Sequence, residues 1–173
     1  MTQSTDEVLR EVFIAGLKNA HAVEHQALAL MDRQLDRLKN YEEVEARLRE
    51  HRGETEVQIE RLEAILGQLD ESASGLKDAA MTMSGNLAAL GHTFAEDEIL
   101  KNSFANFAFE NFEVAAYKSL IVLARNGGFS STVDPLAETL GEEEAMAAWV
   151  DENLADLTEK YVALKAAGEK ASR

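Results

Sequence analysis

Carboxylates stand where aliphatic side chains belong. From Leu136 to Leu164 apolar residues recur in steps of three and four (Leu136, Leu140, Ala147, Val150, Leu154, Leu157, Tyr161, Leu164), and the one charge on that face is Glu143. The stretch Phe13, Leu17, Ala20, Ala27, Met31, Leu35, Leu38 is interrupted in the same way by Glu24. Between Phe104 and Ala124 the only charges are Glu110, Glu113 and Lys118. Glu110 falls on the stripe Phe107, Val114, Tyr117, Ile121, with Glu113 one turn beyond. A fourth seam, Leu48, His51, Thr55, Gln58, Leu62, Ile65, Leu69, is polar in its middle and flanked by Glu54. An isolated buried carboxylate costs several kcal/mol, and like charges sharing a site raise that cost. Two divalent cations relieve five such acids, leaving a formal charge of −1. Oxygen-rich ligation suits iron first, with manganese or zinc as alternatives.

The elements that position these acids read as four long helices, about 5–39, 41–70, 94–126 and 135–167. Ser4 with Glu7 and Thr93 with Glu96 have capping-box spacing. Asn40 and Asp134 are placed to cap the second and fourth helices, and Pro135 suits a first helical position. Short turns near Asn40 and at Gly127–Val133 predict two antiparallel hairpins. The connection over about 71–93 is long, contains a weakly amphipathic stretch read as a short helix, and can return along a helix. The second and third helices are then parallel, which is the ferritin-like connectivity among four-helix bundles. Glu24 lies 16 residues before Asn40 and Glu54 14 after it, while Glu113 and Glu143 lie 15 before and 15 after Gly128. At 1.5 Å per residue each pair is level, about 20 Å from its turn, so one layer can collect all five.

Composition bounds the rest. The chain has 173 residues, one Pro, no Cys and a net charge of −15, which fits one helical domain and excludes a disulfide scaffold or a thiolate metal site. So acidic a surface repels phosphate backbones, which argues against nucleic acid. No apolar run reaches the roughly 18 residues that span a bilayer, and the acidic, polar start is unlike a secretory leader. The expectation is a cytoplasmic protein with no membrane partner.

Several stretches resemble the YciE/YciF-type ferritin-like proteins of bacteria, nearest to the YciE branch. They are Asn19 to Glu24, Leu48 to Glu63 (LREHRGETEVQIERLE), Asp97 to Ser103 (DEILKNS), Phe109 to Ser119 (FENFEVAAYKS) and Glu142 to Val150. The element His51-x-x-Glu54-Thr55 followed by Gln58 is fairly specific. The resemblance implies a ferritin-like bundle, usually a homodimer, in stress-associated proteins of poorly defined activity. The carboxylate pattern is also similar to that of rubrerythrin, where a His follows the last Glu by four residues; here that position is Ala147. A His three residues after the second-helix Glu is also common in such sites, and here Val57 stands there. On this reading Glu24 and Glu143 are terminal ligands, Glu54 and Glu110 bridge two metals, and Glu113 completes one sphere. If the metal is iron, its oxidation by oxygen or peroxide is the expected chemistry; the sequence does not name an electron donor. The alternative is a non-enzymatic structural or interaction protein of the same fold with a degenerate or structural metal site.

His21, His51, Gln58 and Tyr117 are candidates to hydrogen-bond the ligands from one turn away. His21, Glu24 and His25 also spell H-x-x-E-H, the inverted zincin pattern, but there is no α/β scaffold and Glu24 falls on the bundle stripe. Phe104, Phe107, Phe109 and Phe112 nearly encircle the third helix, which predicts a homodimer interface along it. Glu142 and Glu144 are expected in solvent, and the tail from Lys165 is expected to fray.

Overall fold

A computed structural model describes residues 3–71 and 96–173. Within them the chain forms α1 (Thr5–Leu35), α2 (Glu42–Gln68), α3 (Glu98–Asn126), a 3-10 turn (Ser130–Thr132) and α4 (Val133–Ala166). The expected crossover helix, His92 and the Thr93–Glu96 cap lie wholly or partly outside the described residues. Among the described residues there is no strand, and no helix is long and apolar enough to cross a membrane.

Helix starts follow local chemistry. The Ser4 Oγ accepts the Glu7 N–H at 3.2 Å, and the Ser4 N–H donates to Glu7 Oε2 at 2.9 Å, completing the expected capping box. Asn40 does not cap α2. Its Nδ2 donates instead to the carbonyls of Lys170 and Arg173, and the Tyr41 hydroxyl donates to the Ala171 carbonyl. With the Ile99 N–H donating to Ser172 O at 3.0 Å, these bonds pin the C-terminal tail, which does not fray. Ala171 is buried as a result. Asp134 does not cap α4 either, because the 3-10 turn runs directly into the helix with Thr132 at its N-cap. Pro135 is tolerated in the first turn, where its missing N–H has no helical partner to lose. Between α3 and α4, Gly128 adopts φ +78°, a left-handed conformation in which a side chain is strained. Beyond it Phe129 stacks on Phe13 at 4.8 Å and closes that end of the bundle.

Two apolar clusters fix the topology. One joins Phe13 and Leu17 of α1, Leu62 and Ile65 of α2, Leu120 and Ala124 of α3, and Leu136 of α4. The other joins Ala27 and Met31 of α1, Val44 and Leu48 of α2, Phe109 of α3, and Met146, Val150 and Leu157 of α4. The early half of α1 therefore packs with the late halves of α2 and α3 and the start of α4. Hence α2 and α3 run parallel and the two hairpins are antiparallel, as the long connection requires. The architecture is an all-α four-helix bundle with a polar slab between its two cores.

Candidate metal centre

That slab holds the acids. Glu24 on α1, Glu110 and Glu113 on α3 and Glu143 on α4 are all buried, Glu143 at 0% exposure. On α2 the buried seam is Leu48, His51, Thr55, Gln58, Leu62 and Ile65, so the residue that α2 sends to the centre is His51. Its Nε2 lies 3.1 Å from Glu110 Oε2 and 3.6 Å from Glu143 Oε2, close enough for charge attraction without being aligned to donate. Ligand atoms of His51, Glu110 and Glu143 all lie within 4.8 Å of one another, a group able to hold a metal ion.

Glu54, expected as a bridging ligand, makes its contacts on α2 itself. It is half-buried, and its Oε2 accepts from His51 Nδ1 at 2.8 Å and from Arg47 at 3.2 Å. It therefore grips the outer nitrogen of the imidazole whose inner nitrogen faces Glu110 and Glu143. Glu54 flanks the α2 seam rather than occupying it, and this offset separates the two roles. Tyr117 does hydrogen-bond a carboxylate: its hydroxyl donates to Glu24 Oε1. Gln58 reaches Glu142 Oε2 at 2.9 Å, and its own Oε1 is buried without a donor. Glu142 is not free in solvent, since Arg61 clasps both its oxygens at 2.6 and 3.0 Å. His21 does not reach the cage; its Nε2 turns to Glu63 Oε1 at 3.1 Å. The stripe on α3 is also shifted. Its buried line is Asn106, Glu110, Glu113, Tyr117, Leu120 and Ala124, while Phe107 is exposed. A helix apolar on nearly every side does not reveal its inner face.

The electrostatics are those of anions crowded into a dry space. Burial, strengthened by Glu110 and Glu142 and opposed by the Tyr117 hydroxyl and His51, raises Glu24 to about 7. Burial and the carboxyl of Glu110 raise Glu143 to about 10. Burial and the charges of Glu24, Glu143 and Glu110 hold Glu113 well above the usual carboxylate range. Burial alone would lower His51, yet its contacts with Glu110 and Glu54 lift it to about 10. Glu54 is lowered, chiefly by His51. Five carboxylate oxygens in the slab have no donor: Glu24 Oε2, Glu110 Oε2, Glu113 Oε1 and both of Glu143. Unpaired buried acceptors of this kind are costly. A set of inward, donor-free oxygens fits hard divalent cations.

An apolar groove of about 330 Å³ between α1 and α3 runs from Val12 and Phe112 at the surface down to Glu24, Glu113 and Tyr117. Gly16 contributes to it: a Cβ there would meet the Leu120 side chain at 2.8 Å.

Comparison with known proteins places the family and the fold. Residues 8–163 match the family described as "Domain of unknown function (DUF892)". The chain belongs to that family. Protein YciF of Escherichia coli K12, a relative of this family member, is 29% identical over 170 residues, spanning 92% of this chain and 96% of its own length. A solved protein of Xanthomonas campestris pv. campestris superposes with a TM-score of 0.76 at 25% identity, covering 91% of this chain and 99% of that one. The E. coli stress protein YciF superposes at 0.69 with 24% identity, covering 86% and 97%, and shares the fold. The expected kinship to YciE/YciF-type proteins and the ferritin-like bundle are thereby established.

Proposed function

We propose that the slab is a dimetal carboxylate centre, with iron as its natural occupant and oxygen or peroxide as its reactant. The observation that carries this reading is the set of five donor-free carboxylate oxygens enclosed in the bundle. Glu24, Glu110, Glu113 and Glu143 supply oxygen donors, and His51 supplies Nε2 once its proton has left. Glu54, with Arg47 behind it, holds the imidazole in place. Tyr117 fixes one Glu24 oxygen and leaves the other for a metal. A pair of ferrous ions in such a site supplies two electrons, the number needed to reduce one peroxide to water. The groove between α1 and α3 offers small apolar molecules a route to the Glu24 and Glu113 side. Anaerobic loading with Fe(II) followed by metal analysis tests the assignment. Two equivalents per chain, lost in Glu143→Gln, are expected; fewer than about half an equivalent, with the variant no different, rejects it.

One observation favours a second reading as a non-enzymatic structural protein. A protonated His51 set against Glu110 and Glu143, with Tyr117 on Glu24, goes far toward balancing the slab without any ion. Peroxide consumption by the iron-loaded protein separates the two readings. As a further part of the proposal, α3 pairs with a second copy of the chain, supported by Phe104 and Phe112, more than half exposed on its outer side.

A further inference from the structure

Outside the slab, α1 and α2 build a different constellation. His21 and His25 stand one turn apart on α1, with ring centroids 4.5 Å apart and the rings steeply inclined, at 72°. Glu63 comes from α2, its Oε1 3.1 Å from His21 Nε2. One nitrogen from each imidazole and one oxygen from Glu63 all lie within 4.8 Å of one another. We propose that His21, His25 and Glu63 form a separate surface site for a zinc-class divalent cation.

The donor set decides the class. Two imidazoles with one carboxylate are borderline ligands, preferred by zinc, whereas the slab offers mostly carboxylate oxygen. Two nitrogens on one tetrahedral zinc stand about 3.3 Å apart, given Zn–N of roughly 2.0–2.1 Å. His25 and Glu63 are exposed, so their donors, now within 4.8 Å of one another and of His21, have room to adjust toward that spacing. His21 is buried and already fixed by Glu63, so one ligand is preorganised while two adjust. The exposed side leaves a fourth position for water. No residue is shared with the slab, so the two sites fill independently.

The test is calorimetric titration of the chelator-stripped full-length protein with Zn(II). The wild type is expected to bind one equivalent that His25→Ala and Glu63→Gln each weaken at least tenfold, whereas Glu143→Gln keeps it. His25 and Glu63 are exposed, so unchanged melting of the stripped variants separates loss of ligation from loss of fold. Wild-type stoichiometry and affinity in His25→Ala overturns the site, as does the absence of zinc binding at micromolar concentration. Loss of that equivalent in Glu143→Gln alone also overturns it, by placing the zinc in the slab.

Discussion

Metal-free protein should become less stable as pH rises, against the common expectation for an acidic protein. Glu24 titrates near 7 in the fold and near 4.5 when unfolded. A raised folded value means that the native state holds a proton the unfolded chain has released. Its contribution is therefore fully present below pH 4.5 and is lost as pH climbs through 7. At 1.36 kcal/mol per pKa unit, Glu24 alone accounts for about 3 kcal/mol, of which about 2 kcal/mol falls between pH 5.5 and 7. Glu143, raised to about 10, extends the same slope to higher pH, and His51, also near 10, adds to it above 6.5. Glu54 works in the opposite sense: its lowered value gives stability above 4.5 that is lost in acid. For a chain of this size 1 kcal/mol corresponds to roughly 2–4 °C, so the melting temperature of stripped protein should fall by at least about 4 °C from pH 5.5 to 7. Calorimetric melts in chelator across pH 5–9 measure this. Metal binding must expel those same protons, so the stabilisation gained on adding Fe(II) should grow over the same range. A stripped protein whose melting point is flat or rises from pH 5.5 to 8 refutes the reasoning, because the carboxylates would then be ionised in solvent.

Two further substitutions probe the supports of the slab. Tyr117→Phe leaves Glu24 Oε1 without its donor and should cost about 1–3 kcal/mol in urea denaturation of the stripped protein, with the Glu24 titration seen by NMR moving above 7. Deleting residues 170–173 removes the acceptors of the Tyr41, Asn40 and Ile99 donors. At about 1 kcal/mol for each of these four bonds this should destabilise the bundle by about 4 kcal/mol, whereas full-length stability in the truncated chain would mean that the tail carries no load.

Periodicity made α1 and α4 legible because each has one apolar face and one acid on it; Glu24 and Glu143 are buried where their stripes placed them. The same reasoning was weaker for α2 and α3, for opposite reasons. On α2, charge surrounds the seam, and a rule that looks for acids selects Glu54 over its seam neighbour His51. His51 was nevertheless visible as a seam position between Leu48 and Thr55. On α3, apolar residues surround the helix, so hydropathy does not separate Phe109, which is buried, from Phe107, which is not. The better guide there is the Glu110-Glu113-Tyr117 line itself, since no isolated helix face benefits from two carboxylates and a phenol unless they meet partners. Long-range capture of the tail by Asn40 and Tyr41 leaves no local signal, because donor and acceptor are about 130 positions apart.

Position within the fold explains how so costly a slab is sustained. The two apolar clusters lie on either side of it and bind all four helices together above and below. The acids are therefore held in place by packing they do not contribute to. Because that packing keeps Glu24, Glu110, Glu113 and Glu143 together with or without a cation, the protons that Glu24, Glu113 and Glu143 hold in metal-free protein act as placeholders for positive charge. A purely structural bundle would gain from replacing any of these acids with a leucine, since exchanging buried ionic groups for apolar side chains of similar volume is often stabilising by about 1–4 kcal/mol. Four acids converge from three helices, with an imidazole from the remaining one, and on the proposed reading this arrangement, costly when empty, becomes favourable when positive ions occupy it.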